Sequence, residues 1–204
     1  MSKVVIQGHA SGSGDFTIAA PNSNTDRTLT LPDAGGTLDR LDRAGNVLQV
    51  VSTTKTDVGS FASVTTNNYV DISGMSVTIT PTSTSSKILV TYSAYVCTST
   101  TATVHVRLYR DSTSIGQGVA EGNRLGDSAI FRPASDPYVF DIGCVSNLFL
   151  DAPSTTSAVT YKLQGTLGAT YNGTFYINRS ENDSTNADYA GRPASTITVM
   201  EIAQ

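Results

Sequence analysis

Only two histidines are present, His9 and His105, and imidazole is the side chain that most often moves protons near neutral pH. His9 precedes Ala10-Ser11-Gly12-Ser13-Gly14. That run has the small residues of a phosphate loop but neither its Lys-Ser/Thr ending nor a helix to follow, so it reads as a turn. His105 sits beside Arg107 on the polar side of an alternating run, with no nucleophile motif nearby, and reads as an exposed strand residue. Hydrolysis of a glycoside would need two facing carboxylates. Glu121, Asp127, Asp136, Asp141 and Asp151 are the candidates, each in or beside a loop, where a solvated charge is the ordinary state. No catalytic residue is assigned, and the chain is not expected to be an enzyme.

Binding chemistry is better represented. The loop Glu181-Asn182-Asp183-Ser184-Thr185-Asn186-Ala187-Asp188 is rich in hard oxygen donors but lacks the spacing and distal Glu of a calcium hand. It reads as an Asx-rich turn, with calcium as the alternative, and no metal or other cofactor is assigned. Tyr171, Asn172, Tyr176, Asn178, Asn182, Asp183, Tyr189 and Arg192 gather around the same late loops. Flat rings can stack on the C–H face of a pyranose while amides and charged groups bond its hydroxyl edges. These residues are the candidate polysaccharide contact, against the plainer reading that tyrosines pack in β-sandwiches.

The elements that must hold such loops are strands. Met75, Val77 and Ile79 alternate with Ser76, Thr78 and Thr80, and Pro81 removes a backbone donor and ends the pairing. Over Lys87 to Cys97, Ile88, Val90, Tyr92, Ala94 and Val96 fill one face; Leu89, Thr91, Ser93, Tyr95 and Cys97 fill the other. Further strands are expected at 47–52, 69–72, 103–110, 138–142, 145–150, 158–164, 174–178 and 196–202, with a long irregular loop at 116–137. Many short strands and no convincing amphipathic helix predict an all-β chain. Its C-terminal part, 47–204, reads as an antiparallel β-sandwich or jelly roll. Residues 1–38 are expected to form a small β-strand segment with short runs at Val4/Ile6, Phe16/Ile18 and Leu29/Leu31; residues 39–46 are a charged connector.

Composition narrows the class. Hydrophobic residues make up 39% and charged ones 15% of 204, enough to bury a core without disulfides. A net charge of −4 with no basic run excludes a phosphate-tracking nucleic-acid binder. No apolar run is long enough to insert in a membrane, and Val4-Val5-Ile6 is too short for a signal core. Cys97 and Cys144 read as buried free thiols.

Arg27-Thr28-Leu29-Thr30-Leu31-Pro32-Asp33-Ala34-Gly35-Gly36-Thr37-Leu38 resembles a segment near the N-termini of bacteriophage tail-fibre proteins, which implies attachment to other virion proteins. Most of residues 47–204 resemble a domain recurring in structural proteins of tailed phages, many of marine or cyanobacterial hosts. The residues that carry this are Leu48 to Lys55, Ile79-Thr80-Pro81-Thr82-Ser83, Tyr176-Ile177-Asn178-Arg179-Ser180 and Ser195 to Ile202. The resemblance implies a virion component, made in the host cytoplasm, that is often a trimeric fibre or knob. Two-faced strands agree with assembly: Leu89, Tyr95, Phe149, Met200 and Ile202 are the candidate trimer-interface residues, since one sandwich core accepts one face of each strand. The expected function is a short tail fibre or fibre-tip protein contacting host-surface polysaccharide; the alternative is a capsid decoration or head-fibre protein.

Overall fold

The computed structural model describes residues 11–15, 17, 22, 24–26, 28, 43–65, 67–134, 140–168, 173–187 and 190–204. The chain divides into two units, Met1–Leu38 and Asp39–Gln204. Ser11–Asp15 in the first unit are exposed turn and bend. The strand runs expected at Val4/Ile6, Phe16/Ile18 and Leu29/Leu31 fall at residues outside those described, as does His9.

Among its described residues the second unit contains eleven strand segments: β1 Val47–Lys55, β2 Gly59–Val64, β3 Val70–Ile79, β4 Lys87–Thr98, β5 Val104–Arg110, β6 Thr113–Ile115, β7 Ala129–Phe131, β8 Gly143–Asp151, β9 Val159–Leu167, β10 Gly173–Ile177 and β11 Ser195–Ile202. All pairings are antiparallel. In the first sheet β4 is central: β8 pairs along one edge, while β11 and β10 share the other edge end to end. β1 then pairs β11, and β2 pairs β10. In the second sheet β9 lies between β3 and β5, and β6 and β7 share the far edge of β5. Counting each end-to-end pair as one broken strand leaves four columns per sheet, ordered β1/β2–β10/β11–β4–β8 and β3–β9–β5–β6/β7. That alternation of sheets along the chain is a jelly roll: the protein is an all-β, antiparallel, two-sheet sandwich.

Alternation along each strand explains the core. Ile88, Val90, Tyr92, Ala94 and Val96 of β4 are buried, as are Met75, Val77 and Ile79 of β3 and Val104, Val106 and Leu108 of β5. Between the sheets the Phe175 ring of β10 stacks on Phe61 with centroids 4.6 Å apart and lies over Gly165 of β9, where a Cβ would stand 2.8 Å from it. A larger residue at 165 would have to displace that ring, so glycine is there for space.

Two hydrogen-bond locks hold the ends of β1. At one end the buried Glu201 accepts from the Gln49 side chain (2.6 Å), and from Thr82 backbone N and Oγ1 (both 2.7 Å). Gln49 also donates to Thr80 O at 2.7 Å. At the other end the buried Asn178 donates to Lys55 O (2.8 Å) and Asp57 O (2.9 Å) and accepts from Ser195 Oγ (2.5 Å). Ser195 Oγ in turn accepts from Tyr95 N at 2.9 Å. Residues of the stretches Leu48 to Lys55, Ile79 to Ser83, Tyr176 to Ser180 and Ser195 to Ile202 therefore close the sandwich.

Several expectations are corrected. Residues 69–72 and 75–79 are one strand, β3, with a register irregularity before Ser76. β2 lies where no strand was expected, and β7 lies inside the expected loop at 116–137. Of 138–142, the described residues 140–142 are not strand. Cys144 is exposed rather than buried; only Cys97 is enclosed. At the end of the connector Gly45 N and Asn46 O pair with Ala203 O and N, both at 2.9 Å, extending the β1–β11 ladder.

Candidate functional site

The late loops follow β10. Arg179 folds back over the Tyr176 ring, 4.7 Å from its centroid, and bonds the carbonyls of Ser180 and Glu181 at 2.9 and 2.6 Å. Asp183 receives Arg192 at 3.0 and 2.5 Å and stands 3.7 Å from Arg179. The Arg192 hydrogen bond holds the Asp183 carboxyl below the ordinary carboxylate range. A polar cleft of about 380 Å³ opens here, lined by Asp183, Ser184, Thr185, Ala190, Gly191 and Arg192. Asn182 is exposed in the adjoining turn. Tyr171, Asn172 and Tyr189 lie outside the described residues. Asn178 is not a contact residue: it is fully buried in the lock above. The Asx-rich loop offers a cation little, since two guanidinium groups already crowd its Asp183.

A second constellation was not foreseen. Asp127, on the connection between β6 and β7, reaches back over β5. Its oxygens accept from Tyr69 OH at 2.5 Å and meet His105 Nδ1 at 2.7 Å. Arg107 lies over the Tyr69 ring, 4.0 Å from its centroid, and donates to Gly126 O at 2.6 Å. His105 is therefore no exposed strand residue; its side chain is 15% exposed and that of Asp127 only 6%. Burial and the Asp127 carboxylate both push the Tyr69 phenol upward, so it stays a donor. The residues that tie the connection down, Ser128 to Val106 and Leu108 and Gly118 to Asp127, are mostly backbone bonds. Beside the imidazole is a cleft of about 480 Å³ whose walls are largely apolar.

The other carboxylates weighed for hydrolysis have structural partners where they are described. Glu121 pairs with Arg124 at 2.8 Å on the surface, and Asp141 accepts from Ala134 N at 3.2 Å. Asp151 accepts from Arg110 at 3.0 Å and from buried Tyr161 at 2.7 Å. Asp136 lies outside the described residues. Among the described residues no three His, Cys, Asp or Glu side chains gather as a metal site.

The outer face of the first sheet is a third feature. Its register lays out rows across the four columns: Val50–Met200–Leu89–Leu150, then Ser52–Thr198–Thr91–Leu148, then Thr54–Thr196–Ser93–Ser146. Val47–Ile202–Lys87 lies at one end and Tyr95–Cys144 at the other. Val50, Leu148 and Leu150 are 56%, 64% and 53% exposed. Lys87 is the one charge in these rows. The outer face of the second sheet differs, carrying the Lys162–Asp71 pair and Gln164 bonded to Asp71. Of the candidate interface residues, Leu89, Tyr95, Met200 and Ile202 stand on this outer face. Phe149 does not: paired with Val90 in the row beneath, it packs against the core and under Gly116. Its neighbours Leu148 and Leu150 point out instead.

By fold the chain is thus a jelly-roll sandwich with one charge-poor sheet face and two loop clefts. No protein-family model matches the chain, and no curated protein matches it. Solved structures similar to it include that of the infectious bursal disease virus Gx strain, at 12% identity and TM-score 0.39, covering 88% of this chain and 43% of that one. Another is the T=1 particle derived from the same virus, at 14% identity and TM-score 0.39, covering 88% and 41%. A third, the VP2 subviral particle, has 16% identity and TM-score 0.36, covering 88% and 42%. The chain spans less than half the length of these proteins. At such scores the jelly roll rests on its own strand order.

Proposed function

We propose that the protein is a virion structural component of a tailed phage, a short tail fibre or fibre-tip protein. It assembles as a homotrimer, attaches to other virion proteins through residues 1–38, and contacts host-surface polysaccharide through its late loops. The observation that carries the reading is the outer face of the first sheet, whose rows hold a single charge, Lys87, at one end. A lone jelly roll gains nothing from leaving Val50, Leu89, Leu148, Leu150 and Met200 in water, and charge depletion with exposed aliphatics is the mark of an interface centre. By strand spacing and rise the face covers roughly 500 Å² in projection, the same order as the ~800 Å² per partner of a standard interface. Three copies rather than two follow from the resemblance to phage fibres. The polar Asp183–Arg192 cleft supports the sugar contact, because it offers bonded but reachable polar edges. Adding the purified protein to host cells before phage tests the reading: competition for adsorption is expected. A virion reconstruction that places the chain on the capsid lattice would instead support the decoration reading, and absence from the virion would end both.

A further inference from the structure

We infer that the cleft beside His105 is a binding subsite for a single hydroxylated ring with an apolar face, the chemistry of a neutral pyranose. The Asp127 carboxylate accepts from Nδ1, which leaves Nε2 as the ring's second polar position. Among the described residues Nε2 has no hydrogen-bond partner. Gly168 stands next to it, where a Cβ would lie 2.9 Å from Nε2, and its φ is not positive. The backbone there does not demand glycine; the close approach of the imidazole does, and it seats Nε2 at the Gly168 edge of the cleft. Leu125, Ala129 and Ile130 supply apolar walls, and Asn123 supplies an amide that can donate and accept. Both oxygens of Asp127 are already taken, so no free carboxylate waits for a cation. A ligand therefore meets Nε2 with a hydroxyl, which can donate or accept, and lays a carbon face on the aliphatic wall. About 480 Å³ accommodates one sugar ring with water. Tyr69 and Arg107 act behind Asp127 and fix the imidazole; they do not reach the ligand.

The inference shares with the proposed function only the idea of sugar contact, and it places a contact away from the late loops. Because His9 and His105 are the two histidines, selective isotope labelling of histidine in the full chain gives two ring signals. Methyl glucoside, methyl galactoside and methyl mannoside are the probes, titrated to about 100 mM, a range that detects millimolar binding. A saturable shift of the His105 signals with at least one glycoside, with His9 unmoved, is expected. Gly168→Ala, whose Cβ would press on Nε2 from 2.9 Å, and Ile130→Lys, on the 61% exposed rim, should each weaken the apparent affinity at least tenfold. Using two variants keeps the test open should one of them fold poorly. No saturable shift with any probe overturns the inference, as do equal shifts of both histidines or shifts unchanged in both variants. If His105 responds but the protein fails to compete for host adsorption, the subsite stands and the fibre reading falls.

Discussion

Replacing Asn178 by Ala should be among the most damaging single changes in the sandwich. The residue is fully buried with φ of +61°. Its side chain makes three hydrogen bonds that join the end of β10 to the β1–β2 connection and to β11. Truncation strips the amide donor from Lys55 O and Asp57 O and the acceptor from Ser195 Oγ. Each net bond contributes about 1 kcal/mol, and a buried group left bare costs about 1–3 kcal/mol. Ala in the left-handed region adds about 1 kcal/mol that Asn tolerates better. Together the loss is roughly 3–5 kcal/mol, a large share of the stability of an ordinary domain. Urea unfolding of the two proteins measures it, with an unchanged slope showing that only stability moved. Asn178→Gly loses the same bonds without the backbone strain and should recover about 1 kcal/mol of the deficit. A loss below about 1 kcal/mol for Asn178→Ala would refute the lock.

The other lock is sensitive to acid. Burial raises the Glu201 pKa, but hydrogen bonds from Gln49 and Thr82 outweigh it, and the net shift is downward. A lowered folded pKa contributes stability above the unfolded value, near 4.5, that is lost as pH falls through the folded value. Glu201→Gln puts an amide N–H against Gln49 and should cost roughly 1–3 kcal/mol at pH 7 while flattening the acid side of a stability–pH profile. An unchanged profile contradicts this. The two thiols should differ: burial pushes Cys97 up to about 11, so it should resist a thiol reagent until unfolding, whereas Cys144 should react in a monomeric Leu89→Lys variant and be slowed in the wild-type assembly. Two thiols reacting in the native protein would contradict the placement. Residues 39–204 should unfold cooperatively at the full-length temperature, and 47–204 should melt lower for want of the Gly45 and Asn46 bonds to Ala203; equal melting would show that those bonds do not count.

Long alternating runs were legible because one residue in two must meet the core: both faces of β4 can be read from Lys87 to Cys97. β2 was not, since GSFASV has Phe61 as its one large side chain and gains its place from pairing with β10. β7 is three residues held by β5, a tertiary rather than a local fact. In Leu148-Phe149-Leu150 three apolar residues in succession hide which face is inward, and only the register with Val90 decides that it is Phe149. His105 reads as exposed because its neighbours show the side of the strand and not what covers it; Asp127, 22 residues away, arrives by loop folding. Asn178 carried a usable signal, an Asn at a strand end where the chain turns, since Asn enters the left-handed region more readily than most residues.

Native mass spectrometry of the full chain at micromolar concentration tests the central claim that the first sheet's outer face joins copies of the protein. The wild type should fly as three chains of 21.4 kDa each. Leu89→Lys, which sets a charge in the middle of the Val50–Met200–Leu89–Leu150 row, should fly as a folded monomer. A wild-type monomer would contradict the account, and so would a Leu89→Lys protein that remains a trimer.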